Sequence, residues 1–66
     1  MSIQSGTIRT WISERGFGFI QTPEGTDVFF HISNWQPADQ PAVGNQVQFE
    51  AFQGQKGLAA RNVELV

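Results

Sequence analysis

The sequence predicts an all-β fold, a closed barrel of five short antiparallel strands, and three observations carry that reading. Apolar and polar residues alternate in several runs, as in Val47, Phe49 and Ala51 against Gln46, Gln48 and Glu50, the two-residue period of a half-buried strand. Glycine, proline and asparagine punctuate the chain about every eight to twelve residues, the spacing of small barrels and sandwiches. Finally, 66 residues without cysteine form a domain that buries only roughly 60% of its unfolded surface. Such a chain gains most from closing its sheet on itself, which also removes exposed edges.

The first strand is expected over 5–13, where β-branched Thr7, Ile8, Thr10 and Ile12 favour extended backbone. It ends near Glu14-Arg15-Gly16. A second strand over 17–22 and a third over 27–32 flank Pro23-Glu24-Gly25, a tight connection in which proline presets φ and glycine accepts positive φ. These two strands should form a hairpin. Residues 33–45 contain Pro37 and Pro41 and read as a long surface loop, because proline is excluded from central strands. The fourth strand covers 46–52, and Gln53-Gly54-Gln55-Lys56-Gly57 turns it into a fifth over 58–65. No segment has helical periodicity.

Composition narrows function. The chain is expected to be one domain over 1–66, because its length leaves room for one modest core. One histidine and no cysteine cannot supply the roughly four nitrogen or sulfur ligands of a structural zinc site, so no metal and no cofactor is expected. No apolar run approaches the roughly 18 residues of a membrane span, and no secretory leader is recognisable. A cytoplasmic protein with no membrane partner follows as the expectation. Catalysis is not expected: His31 has no cysteine partner, and Asp27, four positions away on the same strand face, lies beyond hydrogen-bond reach. Gly16-Phe17-Gly18 lacks the third glycine and the following helix of a phosphate loop. No small-molecule substrate is implied.

The aromatics are more telling: six phenylalanines, two tryptophans and no tyrosine. Strand parity places Val28, Phe30 and Ile32 on one face of the third strand and Phe29 and His31 on the other. In the second strand Gly18 and Ile20 share the inward face, which leaves Phe17 and Phe19 outside. Since the interior is already filled by the inward set, Phe17, Phe19, Phe29 and His31 are expected side by side on an outer surface. Contiguous exposed apolar surface usually marks a binding site. Flat rings at strand spacing stack on unpaired nucleobases with weak sequence preference. Arg9 on the first strand, Arg15 before Phe17 and Lys56 in the last hairpin offer cations around it, although the net charge is −2 and long-range attraction to phosphate is feeble.

Arg15-Gly16-Phe17-Gly18-Phe19-Ile20 and Asp27-Val28-Phe29-Phe30-His31-Ile32 resemble the two ribonucleoprotein motifs of the bacterial cold-shock proteins, the cold-shock domain family. Gly6-Thr7-Ile8-Arg9, the stretch from Val43 to Phe49 and the stretch from Lys56 to Val63 extend the resemblance over nearly the whole chain. It implies a five-stranded OB-type barrel that binds single-stranded RNA and DNA and acts as an RNA chaperone or as a regulator of transcription and translation. By position, Phe17, Phe19, Phe29 and His31 match stacking residues, Arg9, Arg15 and Lys56 match basic positions near the backbone, and Phe30 matches a core position.

Departures from the family pattern reduce the platform. Thr10 stands where the family has a stacking tryptophan, Trp11 where a phenylalanine is usual, and Ile32 where another stacking phenylalanine is frequent. Parity puts Trp11 beside Arg9, so its ring is assigned to the platform unless a bulge or twist turns it inward. Trp35 reads as a lid on the core rather than a base contact. The expectation is a monomer that binds short single strands at micromolar strength, because stacking yields roughly 1–3 kcal/mol per base before ordering costs are subtracted. Two other readings remain: a small barrel that binds proteins, and the N-terminal nucleic-acid-binding domain of a longer protein.

Overall fold

The computed structural model describes residues 3–54 and 57–66. Five strands, β1 (Ile3–Ile12), β2 (Phe17–Gln21), β3 (Asp27–His31), β4 (Gln46–Gly54) and β5 (Gly57–Leu65), close into a barrel in the order β1, β2, β3, β5, β4. Four neighbouring pairs are antiparallel, but β3 and β5 run parallel where Phe29 lies opposite Ala59. The all-antiparallel expectation is corrected at this pair, for a topological reason. A closed ring with an odd number of strands cannot reverse direction at every step, so one neighbouring pair must run the same way.

Ile8, Ile20, Val28, Phe30, Val47, Phe49, Ala60 and Val63 fill the interior, with Trp11, Trp35 and Ala51 packed against them. Each large side chain buried in this way contributes roughly 1.5–3 kcal/mol, and together they replace the disulfides that the chain lacks. β1 serves two neighbours: its first half pairs with β4 and its second half with β2, and Thr7 faces both Gln46 and Gln21. Gly6 stands at this corner. A Cβ there would lie 2.6 Å from Ile20 Cγ2 and 2.7 Å from the Gln21 carbonyl oxygen.

Two bulges set the inward pattern. In β1, Ile8 pairs with Ile20 and Thr10 with Phe19, so Arg9 is an extra residue and the parity of everything after it slips by one. In β5, the pairs Gln48 with Glu64 and Glu50 with Arg61 match two steps on β4 to three on β5. Asn62 takes up the excess with φ 51°, a left-handed conformation that asparagine tolerates better than most residues. Its Nδ2 donates to Glu50 Oε1 at 2.8 Å. Each bulge therefore lets residues three apart, Ile8 with Trp11 and Ala60 with Val63, point the same way.

After His31 the chain leaves the sheet for a 3-10 turn, Ile32–Asn34. This corrects the expectation for Ile32, which is 38% exposed rather than inward with Val28 and Phe30. The following loop is tied down at several points. Gln36 N–H donates to the Val63 carbonyl, and the backbones of Gly44 and Asn45 bond that of Ile8.

Candidate nucleic-acid interface

The β2–β3 hairpin is regular. Phe17 faces His31, Gly18 faces Phe30, Phe19 faces Phe29 and Ile20 faces Val28. Its turn follows the sequence reading: Gly25 has φ 86°, its N–H donates to the Thr22 carbonyl, and Thr22 N–H donates to the Thr26 carbonyl. With no bulge in either strand, parity holds along the hairpin. Gly18, Ile20, Val28 and Phe30 are buried, whereas Phe29 and His31 are exposed and Phe17 and Phe19 are half-buried.

On the outer face the Phe17 and Phe29 centroids are 5.5 Å apart, those of Phe19 and Phe29 5.9 Å, and those of Phe17 and Phe19 6.3 Å. These separations fall in the favourable range for aromatic pairs, and the three rings form one apolar patch. His31 adjoins it with a fixed ring. The Ser33 N–H donates to His31 Nδ1 at 3.1 Å and Ser33 Oγ lies 2.9 Å from the same nitrogen. Nδ1 is thereby an acceptor, which places the proton of the neutral ring on Nε2.

The cations are distributed unevenly. Arg9 reaches over β2 to Asp27, with Nη1 3.2 Å from Oδ2. Arg15 is exposed in the turn before β2. Lys56 lies outside the described residues. Arg61, whose face the sequence did not decide, has its guanidinium 4.9 Å from the centroid of Phe52.

Trp11 requires a correction. The Arg9 bulge brings it opposite Gly18, and its ring stacks on buried Phe30 at 5.5 Å rather than joining the platform. Gly18 supplies the room: a Cβ there would lie 3.1 Å from Trp11 Cε3 and 3.0 Å from Phe30 Cε1, and would run into the Thr10 carbonyl oxygen. The outer positions opposite Phe19 and Phe17 go to Thr10 and Ile12. Trp35 forms a lid, 6.1 Å from Phe30, with its indole N–H donating to the Asp39 carbonyl at 2.6 Å.

An open groove runs from Phe17, Phe19 and Phe29 past Ala59 to Phe52 and Leu58. The sequence reading missed the last two. Phe52 had a signal, because it shares the outer parity of Gln46, Gln48 and Glu50 while Val47, Phe49 and Ala51 point inward. Leu58, 41% exposed, had none, since its side of the ribbon depends on the bulge at Asn62. Among the described residues no cluster of histidine and acidic groups could hold a metal ion, and no helix is long and apolar enough to cross a membrane.

The comparisons agree with this geometry. Residues 4–66 match the family described as 'Cold-shock' DNA-binding domain. The chain is 38% identical over 65 residues to the cold shock protein CapB of Pseudomonas syringae, covering 96% of this chain and 94% of CapB. It is 38% identical over 64 residues to the cold shock protein CspC of Bacillus subtilis, covering 94% and 97%, and 47% identical over 62 residues to the cold shock protein ScoF of Streptomyces coelicolor, covering 89% and 92%. A solved structure, drosophila Unr CSD456, shares the fold with TM-score 0.83 at 24% identity, over 98% of this chain and 27% of that longer one. With its paired motifs, its barrel and relatives that align nearly end to end, the chain belongs to the cold-shock DNA-binding domain family.

Proposed function

We propose that this protein binds single-stranded RNA and DNA by stacking unpaired bases on Phe17, Phe19, Phe29 and His31, and that it acts as an RNA chaperone or as a regulator of transcription and translation. The observation that carries the reading is the outer face of the β2–β3 hairpin, where three phenyl rings lie within 6.3 Å of one another although the interior is filled by the opposite parity. Bases in a duplex are stacked on each other and do not offer their faces to such a patch. Arg9 and Arg15 supply phosphate contacts at its margin, and Lys56 is assigned a third from its place in the family motif. The protein works by binding rather than by chemistry, as a monomeric single domain in the cytoplasm.

The test is fluorescence anisotropy of labelled oligothymidine and oligouridine, with a duplex control, over a salt series. Labelled oligonucleotides are preferable to intrinsic fluorescence because Trp11 and Trp35 both pack on the core. Three phosphate contacts predict a slope of log K against log salt near about −2, from roughly −0.7 per contact on single strands. Binding of single strands at micromolar strength with little response to duplex supports the reading. Failure of a folded protein to bind either strand overturns it and favours a protein-binding barrel.

A further inference from the structure

We infer that the nucleic-acid strand runs laterally across the barrel, over Ala59, and ends on a further base site built by Phe52 and Arg61 on the β4–β5 ribbon. This inference rests on the binding mode proposed above and extends it to residues that none of the matched motifs assigns.

The strand register lays out the path. Thr10 pairs with Phe19, Phe19 with Phe29, Phe29 with Ala59 and Ala59 with Phe52, a single outer row that crosses every strand of the barrel. Its β1 end carries a hydroxyl, and its β4 end carries a ring. Between the rings of Phe29 and Phe52 stands the methyl of Ala59, with Gly54 and Gly57 beside it on the same groove. Short side chains between two rings leave a trough, and neighbouring strands lie about 4.8 Å apart, so the backbones that carry Phe29 and Phe52 stand roughly 10 Å apart across it. A flat base fits between such walls.

Charge points to the same end of the row. Arg9, at the β1 side, is held by Asp27 at 3.2 Å. Arg61 makes no hydrogen bond or ion pair among the described residues, and its guanidinium rests on Phe52. A guanidinium held over a ring keeps its N–H groups at its edge, free for a phosphate, while a guanidinium plane can itself stack on a base. The occupant that matches an aromatic wall, a free cation and continuity with the phenylalanine patch is the next nucleotide of the same strand. An apolar peptide segment would offer Arg61 no partner beyond Glu50, which lies opposite it in the register and already accepts from Asn62.

The test compares Phe52→Leu, which keeps apolar bulk but removes the π face, with Phe52→Trp and Arg61→Gln. Each is checked for folding by circular dichroism and titrated with labelled oligothymidines of three to eight nucleotides. Wild-type affinity should rise with length and then level off. Phe52→Leu should level off about one nucleotide earlier and bind the longer oligonucleotides about ten-fold more weakly, roughly one base's stacking, with the shortest unaffected. Phe52→Trp should restore the wild-type profile, and Arg61→Gln should reduce the salt slope by about 0.7 for the longer strands alone. Equal effects at every length, or none at any length, would overturn the site while leaving the phenylalanine platform intact. Failure of the wild type to bind any oligonucleotide would overturn the platform and this extension with it.

Discussion

Trp11 and Phe30 stack nearly parallel, with centroids 5.5 Å apart and planes 16° from one another. This pair divides the aromatics into an interior set and an exterior set, since Phe30 is fully buried and its neighbour in sequence, Phe29, is part of the open patch. Truncations on either side of that division should differ in kind.

Phe30→Ala should cost about 3–5 kcal/mol of stability, a large share of what a domain of this size possesses, and should leave it largely unfolded in urea titrations that the wild type survives. Phe29→Ala, Phe17→Ala and His31→Ala should keep the fold and weaken single-strand binding by about 1–3 kcal/mol each. Equal destabilisation by all four would overturn the assignment of faces.

The Trp11 indole N–H is buried and has no acceptor among the described residues. A buried unsatisfied donor costs about 1–3 kcal/mol. Phe at this position keeps the stack on Phe30 and removes the donor, so Trp11→Phe should change the free energy of unfolding by less than about 1 kcal/mol, or raise it. Trp11→Ala opens a cavity and should cost about 3–5 kcal/mol. Chemical denaturation of the two variants provides the comparison, and similar losses in both would mean that the indole N–H is satisfied in solution.

Gly18 is required for space. Its missing Cβ is what admits both Trp11 and Phe30 beneath the Thr10 carbonyl, so Gly18→Ala should prevent stable folding. Gly25→Ala meets nothing within 4 Å and should cost only about 1–2 kcal/mol, because its φ of 86° disfavours a side chain. Thermal melts of the two would show whether crowding or backbone conformation limits the hairpin.

Asp27 restrains Arg9. Both side chains are substantially exposed, 44% and 58%, so the pair itself contributes at most about 1 kcal/mol to stability, and Asp27→Asn should melt close to the wild type. Released from its partner, Arg9 no longer gives up an ion pair to make its phosphate contact, so single-strand binding should tighten at low salt while the salt slope stays near the wild-type value. Adding Arg9→Gln should cancel the gain. An affinity in Asp27→Asn equal to that of the wild type would show that Arg9 never reaches the ligand.

What could be read from the sequence depended on where the strands are regular. In β2 and β3 no residue is inserted, so alternation alone separated Phe17, Phe19 and Phe29 from Ile20, Val28 and Phe30. In β1 the same rule assigned Trp11 to the wrong side, because one extra residue at Arg9 reverses every later position and nothing in Ile8-Arg9-Thr10 announces it. Asn62 left a fainter trace, since asparagine is a residue that accepts the left-handed conformation its bulge needs. Ile32 was misplaced by extending strand parity past His31, where the Ser33 contacts bend the chain into a 3-10 turn. The parallel pairing of β3 with β5 was available from counting alone, because five strands had been expected to close.

That parallel join is the clasp of the hoop. It passes through Phe29 and Ala59, directly beneath the groove, so a strand of nucleic acid lying from Phe29 towards Phe52 straddles the place where the ring would come undone. Occupancy then fastens the barrel from outside. Ligand at a hundred times its dissociation constant adds about 2.7 kcal/mol to any fold that alone can bind it, and here that gain should fall first on the clasp. The backbone amides around Ala59 should be the ones whose hydrogen exchange slows most when the groove is filled.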